Sequence, residues 1–255
     1  MSGPLNISLE RGGELLLLTL ARPKANVVDA EMIAALNAAV VEHRGRKNLK
    51  AILLDAEGPN FSFGASVEEH LPDQCAAMLK SLHGLLINMM EAYVPILVAI
   101  RGQCLGGGLE VALAGNFLFC APDAKLGQPE IKLGVIAPAA TSILPHLIGR
   151  AAAEDMLITG RSLSAEEAKA IGLVHEIADD PRAAALSYFD KHLAQKSASS
   201  LRLAVRAARF DLVQTIKKTL NEIERLYLDD VMATRDAVEG LTAFLEKRAP
   251  KWENC

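Results

Sequence analysis

Apolar and polar positions change period several times along this 255-residue chain, and each change marks an element. Asn6 to Glu10 and Glu14 to Leu20 read as strands, and Arg11-Gly12-Gly13 between them reads as the turn of a hairpin. Arg22-Pro23-Lys24 stops the second strand, because proline fixes φ and lacks an N–H. Asp29 can cap a helix whose apolar positions Met32, Ile33, Leu36 and Val40 recur every 3.6 residues, which predicts a helix to about Arg44. Ala51 to Leu54 is a short buried strand. A Gly/Pro/Asn turn follows, and then Phe61-Ser62-Phe63-Gly64-Ala65-Ser66. A second long helix is expected to open at Asp73 and to end before Pro95. Ile96 to Ile100 is another apolar strand, and it leads into Gly102 and the triplet Gly106-Gly107-Gly108.

Short apolar strands alternating with helices predict an α/β fold whose sheets are covered by helices. From about Ala139 the pattern turns helical, and Ser164-Ala165-Glu166-Glu167 has the form of a capping box. After Pro181 the helix period is continuous, with charges on one face and Leu, Ile, Val and Phe on the other. The chain therefore divides into a core over residues 1–195 and a helical region over residues 196–255. That region either packs on another subunit or caps its own domain.

Composition narrows the picture. The chain is 51% hydrophobic and 23% charged, enough for one large domain with a full core. Aromatic residues are only 4%, so the core must come from Ala, Leu, Ile and Val. The net charge of −4, without a basic stripe, argues against nucleic acid as a partner. Cys75, Cys104, Cys120 and Cys255 form no C-x-x-C pair and lie beside no histidines at ligand spacing, so no metal site is expected. No export signal and no apolar run of membrane-spanning length is visible, which predicts a soluble, cytoplasmic protein without a membrane partner.

The candidate chemistry begins where the Ile96–Ile100 strand runs into glycines and then into a helix. Glycine lets a ligand approach the backbone, and the first amides of a helix lack internal acceptors, so the turn can hold an anion. It is neither a P-loop nor a dinucleotide fingerprint, because both spacings are absent. The same glycines could instead serve close helix packing. Glu110, three residues past Gly107 among apolar neighbours, is either a structural acid or a catalytic one. Glu130 follows Pro129 and opens a second apolar stretch. Two carboxyls in an apolar site can hold different protonation states, as acid and base roles require.

These segments carry a resemblance. Gly106-Gly107-Gly108-Leu109-Glu110, with Gly127-Gln128-Pro129-Glu130 ending twenty positions later, resembles the enoyl-CoA hydratase or crotonase family. Phe61 to Ser66 is similar to that family's F-x-x-G-A-D loop, Arg22 to Asn26 to its R-P-x-x-x-N segment, and Phe244 to Arg248 to its carboxy-terminal helix. The resemblance implies a spiral of β-β-α units with a helical trimerisation region, assembled as trimers or dimers of trimers. It implies that the amides of Ala65 and Gly107 bind a thioester carbonyl oxygen, while Glu110 as base and Glu130 as acid manage the water. It also implies an acyl-CoA substrate with no separate cofactor, coenzyme A entering as part of the substrate. By the same resemblance Lys24, Ala25, Asn26, Val27, Phe63, Gly64, Ser66, Val67, Leu105, Gly106, Pro129, Leu133, Gly134, Ala137, Pro138 and Lys247 line the substrate and CoA path. Arg248 joins Lys24 and Lys247 as a candidate phosphate contact, surface charge being the plainer reading of each. His70 and His146 lie near the motifs, and each reads as structural.

Some positions depart from the family pattern. Ser66 replaces an Asp, Arg101 replaces a polar residue such as Asn, and Gly115-Asn116 replaces Cys-Asp. Ala137-Pro138-Ala139-Ala140-Thr141 stands where the family has P-G-A-G-G. Pro and Ala in place of Gly alter the shape and stiffness of the acyl pocket. With Ala-Gly-Asn, that stretch resembles the family's cyclohexa-1,5-diene-1-carbonyl-CoA hydratases of anaerobic benzoyl-CoA degradation. Both glutamates favour hydration. The alternatives are a linear enoyl-CoA hydratase of β-oxidation, an isomerase or ring hydrolase, and a silent or RNA-binding scaffold of the same fold.

Overall fold

The computed structural model describes residues 3–255; Met1 and Ser2, which begin the expected core segment, lie outside the described residues. Strand β1 (Leu5–Glu10) and strand β2 (Leu15–Leu20) form the expected hairpin, paired from Leu5 with Leu20 to Glu10 with Leu15. Its 3-10 turn, Arg11–Gly13, puts Gly12 and Gly13 at φ 68° and 86°, which glycine tolerates. Helix α1 (Ala30–His43) starts as predicted, the Asp29 side chain accepting from the Met32 amide at 2.9 Å. Strand β3 (Ala51–Ala56) follows, and helix α2 (Cys75–Glu91) begins two residues later than Asp73. The amides of Gln74 and Cys75 both donate to the Leu71 carbonyl, so residues 71–74 close a turn first.

The middle of the chain alternates between two sheets. Strand β4 (Ile96–Ile100) and strand β5 (Gln103–Leu105) lead into helix α3 (Gly107–Leu113). Strand β6 (Phe117–Cys120) and strand β7 (Lys125–Gly127) lead toward helix α4 (Pro138–Ile148). Beyond Gly149 (φ 76°) come helix α5 (Arg150–Thr159), strand β8 (Ser162–Ser164), helix α6 (Ala165–Ala170) and strand β9 (Glu176–Ile177). Both arms of the predicted capping box at Ser164 are present. The larger sheet has the order β1-β2-β3-β4-β6-β9, parallel except for the hairpin, and the smaller has the order β5-β7-β8. The two middle turns, β4-β5-α3 and β6-β7-α4, each give one strand to each sheet, whereas β1, β2 and β3 all lie in the larger one. That arrangement is the spiral. The expectation of helix alone beyond Ala139 is corrected by β8 and β9; strands of two or three residues are too short to express a period.

The rest is helical as expected: α7 (Pro181–Tyr188), α8 (Ala198–Ala208), α9 (Phe210–Arg225) and α10 (Arg235–Leu245). Helix α7 runs on into a π turn at Phe189–Leu193 and, with Ala185 and Phe189, covers one face of the large sheet over Leu15, Leu53, Leu97 and Phe119. The opposite face packs on α1, α2 and α3, so β2, β3 and β4 are buried on both sides. Helix α10 packs against the turn that carries Glu130.

Candidate active site

Hydrogen bonds sew two loops together and so set the geometry. The Phe61 amide donates to Arg101 O, Ser62 N to Gln103 O, and Leu105 N to Ser62 O, each at 2.9–3.0 Å. Ser62 Oγ donates to Asn26 O at 2.8 Å and accepts from Gly64 N at 3.1 Å. Side chains at two glycines would wedge the loops apart. A Cβ at Gly108 would stand 2.5 Å from Ser62 Cβ, and one at Gly107 would stand 3.1 Å from Ala65 N. The amides of Ala65 and Gly107 are thereby neighbours, and neither donates to an acceptor among the described residues. Two free amides side by side can hold a developing oxyanion.

Glu110 lies in the first turn of α3, buried among core residues, and its Oε1 accepts from the Ala140 amide at 2.9 Å. Burial pushes its carboxyl up to about 7, against the pull of the Ala140 and Ala139 amides. Glu130 lies in the 3-10 turn Pro129–Leu133, and a Cβ on Gly106 would meet its Oε1 at 2.6 Å. Burial first, and the charge of Glu110 second, push Glu130 up to about 8. With its amide nitrogen turned toward Glu130, the buried Gln128 donates to both carboxylate oxygens at 3.1 Å. A raised acid beside a less raised one is the arrangement that separates proton donor from proton acceptor.

A cavity of about 510 Å³ opens in front of Glu130. Of the expected oxyanion and catalytic residues, Ala65 and Glu130 line it while Gly107 and Glu110 lie behind its wall, and of those expected on the substrate path, Phe63, Gly64, Val67, Leu105, Gly106, Pro129 and Leu133 line it. Lys24, Ala25, Asn26, Val27, Ser66, Gly134, Ala137, Pro138 and Lys247 do not. Asn26 is fully buried and spends its side chain on its own loop, accepting from Arg22 N and donating to Glu57 O and Asn60 O. Ala137 and Pro138 instead start α4 and so aim the Ala140 amide at Glu110. Arg248 reaches the cavity while tied to Glu239 and Glu246.

Sequence reasoning missed Lys132, Val135, Gly240 and Pro250 on the cavity wall, and it took His70 as structural. Gly240 had a signal, since glycine inside a helix is costly unless something must come close. Here that neighbour is the backbone of the Glu130 turn: a Cβ on Gly240 would lie 2.1 Å from Leu133 O. The Gly115-Asn116 departure is structural, because Asn116 Oδ1 accepts from Ile96 N at 2.9 Å. The Arg209 guanidinium donates to the carbonyls of Ala114 and Gly115.

Similarity to known proteins bears on the same segments. A family model described as enoyl-CoA hydratase/isomerase matches residues 10–255. A cyclohexa-1,5-dienecarbonyl-CoA hydratase of Thauera aromatica is 64% identical over 253 residues, covering 99% of this chain and 98% of that protein. A carnitinyl-CoA dehydratase of Salmonella typhi is 32% identical, covering 97% of this chain and 98% of that protein. The crystal structure of an enoyl-CoA hydratase/isomerase from Pseudoalteromonas atlantica superposes with a TM-score of 0.86 at 28% identity, covering 98% of this chain and 99% of that one.

Proposed function

The chain belongs to the enoyl-CoA hydratase/isomerase family, and on that premise we propose that it adds water across an alkene conjugated to a CoA thioester, the acyl group being a cyclic diene, cyclohexa-1,5-diene-1-carbonyl-CoA. The observation that carries the reaction is the pair of raised carboxyls, Glu110 buried and Glu130 part-buried, close enough for the charge of one to act on the other, with Glu130 against the Gly106 turn that leads into the neighbouring amides of Ala65 and Gly107. The ring substrate is supported by the 64% identity to the Thauera aromatica hydratase, which spans nearly both chains.

In this reading the thioester oxygen sits between the Ala65 and Gly107 amides, which stabilise the enolate as it forms; one such donor is worth on the order of 10²–10³ in rate. Glu110, the less raised carboxyl, takes a proton from water as the oxygen attacks the alkene. Glu130, still protonated at neutral pH, returns a proton to the carbon that has gained the electron pair. Phe63 and Val67 flank the thioester chain, and Lys132 and Arg248 are the cations on the cavity wall available to coenzyme A. Coenzyme A comes with the substrate, and no further cofactor enters the scheme. We also expect a homotrimer or dimer of trimers; the exposed apolar residues Ile158, Leu203 and Phe210 support an assembly.

The test is to give the purified protein cyclohexa-1,5-diene-1-carbonyl-CoA and crotonyl-CoA in parallel, following alkene absorbance and free thiol. Loss of the ring alkene, faster than that of crotonyl-CoA and without thiol release, is expected. Thiol release without hydration would replace this reading with a thioester hydrolase.

A further inference from the structure

His70 ends the short 3-10 turn Glu68–His70, five residues beyond Ala65, and its ring lines the cavity in front of Glu130. Its Nδ1 lies 2.7 Å from Ser66 O. A carbonyl oxygen only accepts, so Nδ1 carries the proton of the neutral ring and Nε2 carries a lone pair. Burial lowers the ring's pKa, which keeps it neutral. Nε2 has no partner among the described residues. The wall around it includes Phe63, Val67, Leu133 and Val135, and among the lining side chains only His70 and Glu130 can accept a hydrogen bond.

The ring is part-buried on the cavity wall, and an acceptor that a bound ligand cuts off from water penalises whatever ligand fails to pair it, and selects one that can. We propose that His70 is a specificity-determining residue: its Nε2 accepts a hydrogen bond from a hydroxyl on the acyl group, so that the cavity holds a hydroxyacyl-CoA in preference to its deoxy counterpart of the same size. The hydroxyl follows from the hydratase reading, since water addition creates one, and the proposal rests on that reading for this point alone.

The test is calorimetric titration with 2-hydroxycyclohexanecarbonyl-CoA and cyclohexanecarbonyl-CoA, in a Glu110→Gln background so that neither ligand turns over. With His70 present, the hydroxy ligand should bind about tenfold tighter, a difference of about 1.4 kcal/mol. His70→Phe should abolish the preference while holding the deoxy ligand's affinity within about twofold, and His70→Gln should restore part of it. A tenfold preference that survives His70→Phe overturns the proposal, as does its absence with His70 in place. Should the Phe variant fail to fold, the ¹⁵N resonance of His70 Nε2 gives the answer in the unsubstituted ring. It should move with the hydroxy ligand and stay put with the deoxy one; equal movement, or none, overturns the proposal. Dienoyl-CoA turnover by the unaltered protein is measured separately. Its absence would end the hydratase reading, while the two titrated affinities would still decide the role of His70.

Discussion

Glu110 and Glu130 lie close enough for the charge of one to act on the other, but they are held in opposite ways. Glu110 sits on α3, a helix whose seven residues are all buried, and the amide of Ala140 pins its carboxyl from behind. Glu130 sits on a five-residue 3-10 turn with no fully buried residue, closed at Gly134 in the left-handed region at φ 71°. That turn is backed by α10, more than a hundred residues further on, through Gly240 and Leu133. One carboxyl belongs to the core; the other is positioned by the carboxy-terminal helix. The difference teaches that a site of two equivalent-looking acids can have a rigid half and a half that depends on distant packing.

The largest effect tests whether the two halves share one reaction. Glu110→Gln and Glu130→Gln should each lower kcat/KM for hydration by about 10²–10⁴, as expected for loss of a positioned acid or base. The double variant should fall little further, because groups acting as a unit are not additive. Steady-state kinetics on the dienoyl thioester measure this. If either single variant turned over normally, the division into base and acid would be wrong.

A second contrast lies in protonation. Both carboxyls titrate above the usual glutamate range in the folded chain, Glu110 at about 7 and Glu130 at about 8. The unfolded chain releases these protons near the ordinary value of about 4.3, so between there and about 8 the native state binds more protons than the unfolded state. Stability must therefore fall as pH rises through that window. Removing the charge with Gln should stabilise the protein at pH 8.5 and hardly at all near pH 4.5. Thermal melts of both variants across this range measure it. A gain independent of pH would refer the stabilisation to packing instead. Hydration itself should peak between the two values, rising as Glu110 deprotonates and falling as Glu130 does.

The rigid half was legible in the sequence and the other half only in part. A buried strand, a glycine triplet and a carboxylate at fixed spacing are local signals, and they led to a helix start with Glu110 in its first turn, although the roles of Gly107 and Glu110 came only with the resemblance. Ala65 could be named only through resemblance, because its position depends on the bonds that join residues 61–62 to residues 101–105 across the smaller sheet. That sheet was invisible: β5, β7 and β8 have three residues each. Lys24, Lys247 and Arg248 were chosen for charge, yet of the three Arg248 alone lines the cavity, beside Lys132, which was not chosen. Charge is a property of composition, and its direction is a property of packing. His70 shows the same limit, since nothing local reveals that a 3-10 turn brings its ring onto the cavity wall.

The smallest predicted effect separates the two halves most cleanly. Gly240 has no side chain to offer a substrate; it lets α10 come against the carbonyl of Leu133. A methyl group there must move either the helix or the turn, and overpacking of this kind costs about 1–3 kcal/mol. Because the strain falls on the Glu130 turn and not on α3, Gly240→Ala should lower kcat by roughly tenfold, as a displacement of about 1 Å in a catalytic group can. It should move the alkaline limb of the pH profile, which reports Glu130, and leave the acidic limb, which reports Glu110, where it was. Full pH–rate profiles with a parallel melt measure both consequences. If the two limbs shifted together, or if stability fell with the profile unchanged, α10 would be a cover for the fold and no support for the acid.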